Sequence, residues 1–155
     1  MFEPREIIYG YAKGLHNPHN KYIVTIYRDE NLNIVASFTT SQQRAGVSEG
    51  KIHHGAIYND KKCISYVFEK DVVIGVNPET GIDFSFPKRT VITFDYGVIE
   101  STKERFLQNF DNPKVVCILN ENEYIELVYA MYSSPYTKQT HKDVLDKILK
   151  KYYSR

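Results

Sequence analysis

The sequence predicts a mainly β fold with a minor α-helical part. Short apolar or β-branched runs recur along the 155 residues, and polar segments rich in Asn, Asp, Gly and Pro separate them. The 13 tyrosines and 8 phenylalanines strengthen this interpretation, because aromatic residues favour strands. The predicted strands and helices do not alternate regularly, so the pattern that is typical of a parallel sheet is absent from the sequence. We therefore expect one domain, residues 1–155, built as a small antiparallel barrel or highly curved sheet with helices packed outside it.

The clearest strand pair lies within residues 22–44. Residues 22–27 are apolar or β-favouring at every position, residues 29–31 have turn chemistry, and residues 33–38 resume the strand pattern. The stretch before this pair, residues 3–21, predicts an irregular segment with at most a short strand near 7–9. The pair ends in six polar residues, 39–44. Such a group can contact a ligand, but it is more often simple turn structure.

The middle of the chain predicts further short strands. Residues 52–58 and 63–68 suit a second hairpin across a four-residue polar loop. Residues 72–76 form an apolar run, and residues 82–86 alternate so that Ile82, Phe84 and Phe86 would share one buried face. Another strand is expected at 90–96.

The last third combines helices with a third predicted hairpin. Ser101 and Glu104 make a capping box, so we expect a short helix at about 101–110. Residues 114–119 and 124–131 suit a hairpin across a polar loop. From about 138 to 153, apolar residues recur at spacings of three and four, which predicts a C-terminal amphipathic helix.

Composition narrows the class of protein. A hydrophobic fraction of 42% and a charged fraction of 25% are those of an ordinary globular protein, and the net charge of +1 does not by itself indicate nucleic-acid binding. The chain has no apolar run long enough for a membrane helix and no signal-peptide pattern near residue 1, so a cytoplasmic location is expected. Cys63 and Cys117 lie in apolar runs away from any metal-binding spacing, so we interpret both as reduced core residues.

Polar and basic residues at the predicted strand ends are the remaining candidates for chemistry, since no Gly-rich phosphate loop, zinc spacing or nucleophile elbow is present. His19 can exchange a proton near neutral pH, and Lys21 can offset charge on a phosphate. Thr40, Ser41 and Arg44 can supply hydroxyl and guanidinium contacts. Each of these also suits a solvated loop edge.

Three further basic residues are weaker candidates for contacts with a phosphate. They are His53, Lys88 and Arg89, which all lie close to the start of a predicted strand. Basic residues before strands are usually just solvated, and His53 competes with its neighbour for one face of the strand. Neither a metal nor a cofactor is expected.

Three segments taken in order resemble the MazF and PemK group of toxin endoribonucleases. Asn20 and Lys21 lead into the strand YIVTIY, residues 38–41 (FTTS) end the second strand, and residues 86–90 (FPKRT) lead into VITF. The family has a basic loop before its first strand, a Pro-Ile-Thr-Ser type segment after its second, and a Leu-Pro-Lys type segment further on. The resemblance implies an SH3-like β-barrel over roughly residues 10–100.

The resemblance also implies a function and a set of residue roles. Thr40 corresponds to the active-site Thr or Ser, and Lys21 to the catalytic Arg, although the family's Arg-Pro is Lys21-Tyr22 here. The implied activity is metal-independent cleavage of single-stranded RNA to 2′,3′-cyclic phosphate ends, by a homodimer with an antitoxin protein as partner. The alternative is a non-catalytic β-barrel that binds RNA, a protein tail or an identical subunit.

Overall fold

A computed structural model describes residues 1–31, 33–41 and 45–155. Within these residues ten strands form two antiparallel sheets. The strands are β1 (Glu6–Ala12), β2 (His19–Arg28), β3 (Asn33–Phe38), β4 (Gly55–Asn59), β5 (Lys62–Phe68), β6 (Gly75–Val76), β7 (Asp83–Phe84), β8 (Thr90–Thr93), β9 (Val98–Thr102) and β10 (Phe110–Leu119). The helices are α1 (Lys103–Gln108), α2 (Glu121–Ser133) and α3 (Gln139–Tyr153). The expectation of a mainly β fold with minor α is confirmed.

The larger sheet has seven strands in the order β7-β6-β10-β1-β2-β3-β9, and the smaller one has the order β4-β5-β8. Two of the three predicted hairpins, β2–β3 and β4–β5, are present. In the described part of the chain, no helix combines the length and the apolar character that crossing a membrane requires.

Strand β2 is the centre of the packing because it is buried on both faces. Ile23 belongs to a core cluster with Phe2, Phe106 and other residues on one side, whereas Val24 and Ile26 belong to the cluster that includes α2 and α3 on the other side. Successive side chains of a strand point to opposite faces, so a strand covered on both sides needs apolar residues at consecutive positions. This explains the uninterrupted strand pattern in this part of the sequence.

The predicted hairpin of residues 114–119 and 124–131 is wrong. Residues 124–131 lie inside α2, and β10 pairs with β1 and β6 instead. The exposed residues Asn122, Glu126 and Tyr129 of this helix follow one another at spacings of four and three, which is helical periodicity. Between them the helix is apolar and buried around most of its circumference, so its composition resembles that of a buried strand.

Other boundaries differ from the sequence-based expectation in smaller ways. The segment expected to be irregular contains all of β1 and the start of β2. The short helix begins after β9, and its N-cap is Thr102, whose hydroxyl accepts a hydrogen bond from the backbone N–H of Arg105 at 3.3 Å. Ile82 was expected to be buried with Phe84 and Phe86 but is 67% exposed, because the regular strand there spans only two residues. The terminal helix is confirmed as α3.

A buried polar network fixes α2 to the smaller sheet. His54 Nδ1 accepts a hydrogen bond from the backbone N–H of Glu69 at 3.0 Å, so in the neutral ring the proton is on Nε2, which lies 2.8 Å from Glu123 Oε1. The hydroxyl of Tyr66 donates to the other carboxylate oxygen of Glu123. Burial and this contact raise the pKa of Tyr66. Glu123 is thereby satisfied by two donors although it is only 12% exposed.

Tyr66→Phe tests the contribution of this network to stability. The substitution keeps the buried ring but removes one donor to a nearly buried carboxylate, so the free energy of unfolding should fall by about 1.5–3 kcal/mol. Urea denaturation at pH 7 measures the change. Tyr58→Phe is the matched control, because Tyr58 is 48% exposed and the same substitution there should have little effect. Equal losses in both variants would contradict this role of Glu123.

The two cysteines are free and buried, as the sequence predicted. Burial raises the pKa of Cys63 to about 11 and that of Cys117 to about 12, so both stay protonated in the folded protein where an unfolded thiol begins to ionise. Each thiol therefore has a higher pKa in the folded protein than in the unfolded chain. The resulting stabilisation is fully present below the pKa of the unfolded thiol and is lost as the pH rises through the pKa of the folded one.

A thiol reagent such as DTNB should therefore react with neither cysteine in the native protein at pH 8. Both thiols should react quickly once denaturant is added, because the reactive species is the thiolate and the unfolded chain exposes it. Absorbance of the released thiolate measures the extent of reaction. Rapid labelling of the folded protein would show that one of the two sites opens to solvent.

Candidate functional site

A cavity of about 540 Å³ lies where β2 begins, β3 ends and β8 begins. Three chain segments and two separate tyrosines contribute to its lining. The lining residues are Tyr9, His19, Asn20, Lys21, Tyr22, Thr39, Thr40, Ser41, Pro87, Lys88, Thr90 and Tyr96. Five of the residues selected from the sequence therefore meet at one cavity: His19, Lys21, Thr40, Ser41 and Lys88.

The end of β3 is held against the start of β2 by hydrogen bonds. The Lys21 ammonium donates to the carbonyl oxygen of Thr39 at 2.7 Å. The backbone N–H of Thr39 donates to the carbonyl oxygen of Tyr22 at 3.2 Å, and the Thr39 hydroxyl donates to the same oxygen at 3.3 Å. Lys21 is thus part of the wall of the cavity and of the contact that closes the strand pair.

Thr40 connects the two sheets. Its backbone N–H donates to the carbonyl oxygen of Val91 at 2.9 Å, and the N–H of Val91 donates to the carbonyl oxygen of Thr40 at 2.8 Å. Val91 belongs to β8, which follows Lys88 and Arg89 directly. The bridge therefore sets the distance between the polar end of β3 and the basic segment before β8.

The tautomer of His19 follows from its partner. Its Nδ1 lies 2.5 Å from the carbonyl oxygen of Asn17, and a carbonyl can only accept, so Nδ1 carries the hydrogen. In the neutral ring Nε2 then has the lone pair. His19 is exposed at the first position of β2, so this nitrogen can take a proton from a group that enters the cavity.

Three tyrosines, Tyr9, Tyr22 and Tyr96, contribute to the cavity lining. Tyr9 and Tyr22 are direct cross-strand partners, with ring centroids 4.5 Å apart, and Tyr22 meets Phe86 edge-on at 4.9 Å. Burial, with a smaller effect of Tyr9, raises the pKa of Tyr22, so its hydroxyl remains a hydrogen-bond donor at neutral pH. Tyr96 lies in the turn between β8 and β9 and is 60% exposed.

The charge of the lining is one-sided. Lys21 and Lys88 supply two cations and His19 a third group that can become cationic, while no Asp or Glu is among the described residues that line the cavity. A concave surface with charge of one sign attracts ligands of the opposite sign. The arrangement suits an anion, and the hydroxyls of Thr40 and Ser41 can orient it by hydrogen bonds.

The other three candidates are not among these lining residues. Arg89 pairs with Glu69 at 2.9 Å and with Glu49 at 2.6 Å, and these carboxylates raise its pKa. His53 is exposed before β4, where its Nδ1 lies 2.9 Å from the carbonyl oxygen of His54. Arg44 lies outside the described residues.

Sequence reasoning did not select the tyrosines. Tyr9 and Tyr22 were interpreted only as strand residues, and Tyr96 as the end of one. One signal in the sequence could have identified Tyr22 as a lining residue, since it is the neighbour of Lys21. Tyr9 could not be found in this way, because its pairing with Tyr22 depends on the register of β1 with β2, which the sequence did not reveal.

Comparisons with known proteins found no match to this chain among family models, curated proteins or solved structures. Over residues 1–31, 33–41 and 45–155, no three His, Cys, Asp or Glu side chains are grouped so that they could hold a metal ion.

The neighbours Lys88 and Arg89 should differ in what they do for stability. Arg89 is the main reason that the pKa of Glu69 is lowered, so their pairing stabilises the fold above the pKa of an unpaired glutamate and is lost as the pH falls through the folded value. Arg89→Gln should therefore lower the urea midpoint at pH 7, and the difference from wild type should shrink below about pH 4.

Lys88→Gln is the matched control for this measurement. The described residues give Lys88 no ion pair, so its loss should leave the urea midpoint unchanged at both pH values. An acid-independent loss in the Arg89 variant would contradict the assigned pairing with Glu69.

Proposed function

We propose that this protein is a metal-independent endoribonuclease that cleaves single-stranded RNA to 2′,3′-cyclic phosphate ends. The observation that carries the proposal is the cavity lining, in which two lysines and a histidine share one space with the hydroxyl groups of Thr40 and Ser41, and none of the described lining residues is Asp or Glu. Except for His19, these residues come from the same three segments that resemble the MazF and PemK group: residues 20–27, 38–41 and 86–90.

The chemistry requires three tasks that these side chains can perform. The 2′-hydroxyl loses its proton to Nε2 of His19 and attacks the adjacent phosphorus, and the bond from phosphorus to the 5′-oxygen breaks. The Lys21 ammonium stabilises the negative charge that builds on the phosphoryl oxygens. Thr40 and Ser41 orient the phosphate by hydrogen bonds. The leaving 5′-oxygen takes a proton from water, to which the cavity is open.

Lysine in place of arginine changes how the phosphate is held. An ammonium is a point charge without the planar fork that binds two phosphate oxygens at once. Its charge nevertheless acts over several ångströms, so Lys21 can stabilise a phosphoryl oxygen while it keeps its hydrogen bond to Thr39. We therefore expect slower cleavage than an arginine in the same place would give.

The resemblance extends the proposal to the protein's setting. It implies a homodimer in the cytoplasm and an acidic antitoxin protein as partner. Such an antitoxin would compete with RNA for the cationic cavity, because both are polyanionic.

Cleavage of a labelled single-stranded RNA in the presence of EDTA tests the proposal. Products should carry 2′,3′-cyclic phosphates. Lys21→Ala should reduce the rate constant by about 10²–10³-fold through lost charge stabilisation, and His19→Ala by about 10²–10⁴-fold through lost proton transfer. Thr40→Ala should also reduce it. Lys51→Ala, which removes an exposed lysine outside the cavity lining, is the control that should retain full activity.

Circular dichroism and urea unfolding should show that each variant remains folded, since Lys21 also holds the end of β3. If RNA stays intact under all conditions but wild-type protein binds it in a salt-dependent way, the protein is a non-catalytic RNA-binding module and the nuclease proposal is wrong. If the protein neither cleaves nor binds RNA, a protein tail or an identical subunit becomes the expected ligand of this surface.

A further inference from the structure

We propose that Tyr96 is a stacking platform for one unpaired base of the substrate and that it makes the cavity selective for single-stranded nucleic acid. This inference rests on the proposed function, because it assigns the neighbour of the bound phosphate. The supporting observations are the exposure of the ring, the hydrogen bonds that hold the turn carrying it, and its place in the same lining as the cationic groups.

The ring of Tyr96 is available on the surface. It is 60% exposed, it lines the cavity, and among the described residues it makes no contact with another aromatic ring. The rings of Tyr9 and Tyr22, in contrast, pack against each other, and Tyr22 also packs against Phe84 and Phe86. Of the three tyrosines in the lining, Tyr96 is thus the one whose ring is not packed against another aromatic ring of the described residues.

The turn that carries Tyr96 is tied to the end of β3. The backbone N–H of Gly97 donates to the carbonyl oxygen of Thr93 at 3.0 Å. The carbonyl oxygen of Gly97 accepts from the backbone N–H of Phe38 at 3.2 Å and from the Ser37 hydroxyl at 3.0 Å. A Cβ on Gly97 would approach the Thr93 carbonyl oxygen to 2.6 Å, so this close contact requires glycine. Tyr96 therefore stays near Thr40 and Ser41.

A flat exposed ring beside cations matches a nucleotide better than a simple anion. The phosphate meets Lys21, Lys88 and the hydroxyls, and the attached base lies on the tyrosine face. A base in a duplex is stacked between its neighbours, so it can reach Tyr96 only after it leaves the helix. Leaving the duplex costs the free energy of base pairing and stacking, so the platform favours single strands. Stacking is tolerant of base identity, so the platform does not specify a sequence.

Binding of a short 2′-O-methyl RNA tests this inference without cleavage, because the nucleophilic hydroxyl is blocked. Fluorescence anisotropy should show about 5- to 150-fold weaker binding for Tyr96→Ala than for wild type, which corresponds to the loss of one stacked base. Tyr96→Phe keeps the ring and should bind within about twofold of wild type. Tyr58→Ala, at an exposed tyrosine outside the cavity lining, should bind as wild type does.

An oligonucleotide series with a single abasic site, moved along the chain, identifies the stacked base. At one position the abasic site should weaken binding to wild type but not to Tyr96→Ala. The same sequence as a duplex should bind wild type more weakly. Unchanged binding by Tyr96→Ala, an equal abasic effect in both proteins, or no binding by wild type would each overturn the inference. If binding depends on Tyr96 but ordinary RNA is not cleaved, the proposed nuclease activity is wrong and the proposed role of Tyr96 in binding stands.

Discussion

The backbone bridge between Thr40 and Val91 is the interaction on which the candidate site depends. It is an isolated bridge, yet it joins the end of β3 in the seven-stranded sheet to β8 in the three-stranded one. It thereby holds the hydroxyls that follow β3 against the basic segment before β8, although the two strands belong to separate sheets. Because both hydrogen bonds are made by the main chain, the connection does not depend on the Thr40 side chain, which remains on the cavity wall.

Charge and aromatic surface meet at this junction for different reasons. The lysines lie at the starts of β2 and β8, where a strand emerges from the core and a long side chain can reach solvent. The tyrosines come from cross-strand pairing of β1 with β2 and from the turn before β9. The cavity combines them because the two sheets converge there, and this combination favours a ligand with both a negative charge and a planar group.

The sequence was sufficient to predict the β2–β3 and β4–β5 hairpins, the terminal helix and the polar character of the strand ends, since each has a local pattern. It was insufficient for α2, because residues 124–131 are buried around most of the helix and their apolar run does not distinguish a helix from a strand. The sequence could not identify Tyr9 and Tyr96 as lining residues for another reason. Their places in the cavity depend on strand register and on main-chain contacts between distant residues, such as that of Phe38 with Gly97.

The burial of β2 on both faces separates the parts of this strand that can change from those that cannot. From Ile23 to Tyr27 every side chain is enclosed, so nearly any polar or bulky replacement would disturb one core or the other. The first two residues, His19 and Asn20, are exposed, and Lys21 is only partly buried. Substitutions of His19 and Asn20 should therefore cost little folding free energy, whereas Lys21 also holds the end of β3 through its hydrogen bond to Thr39. Natural variation or laboratory selection could thus alter ligand preference at the first two positions while the scaffold stays intact.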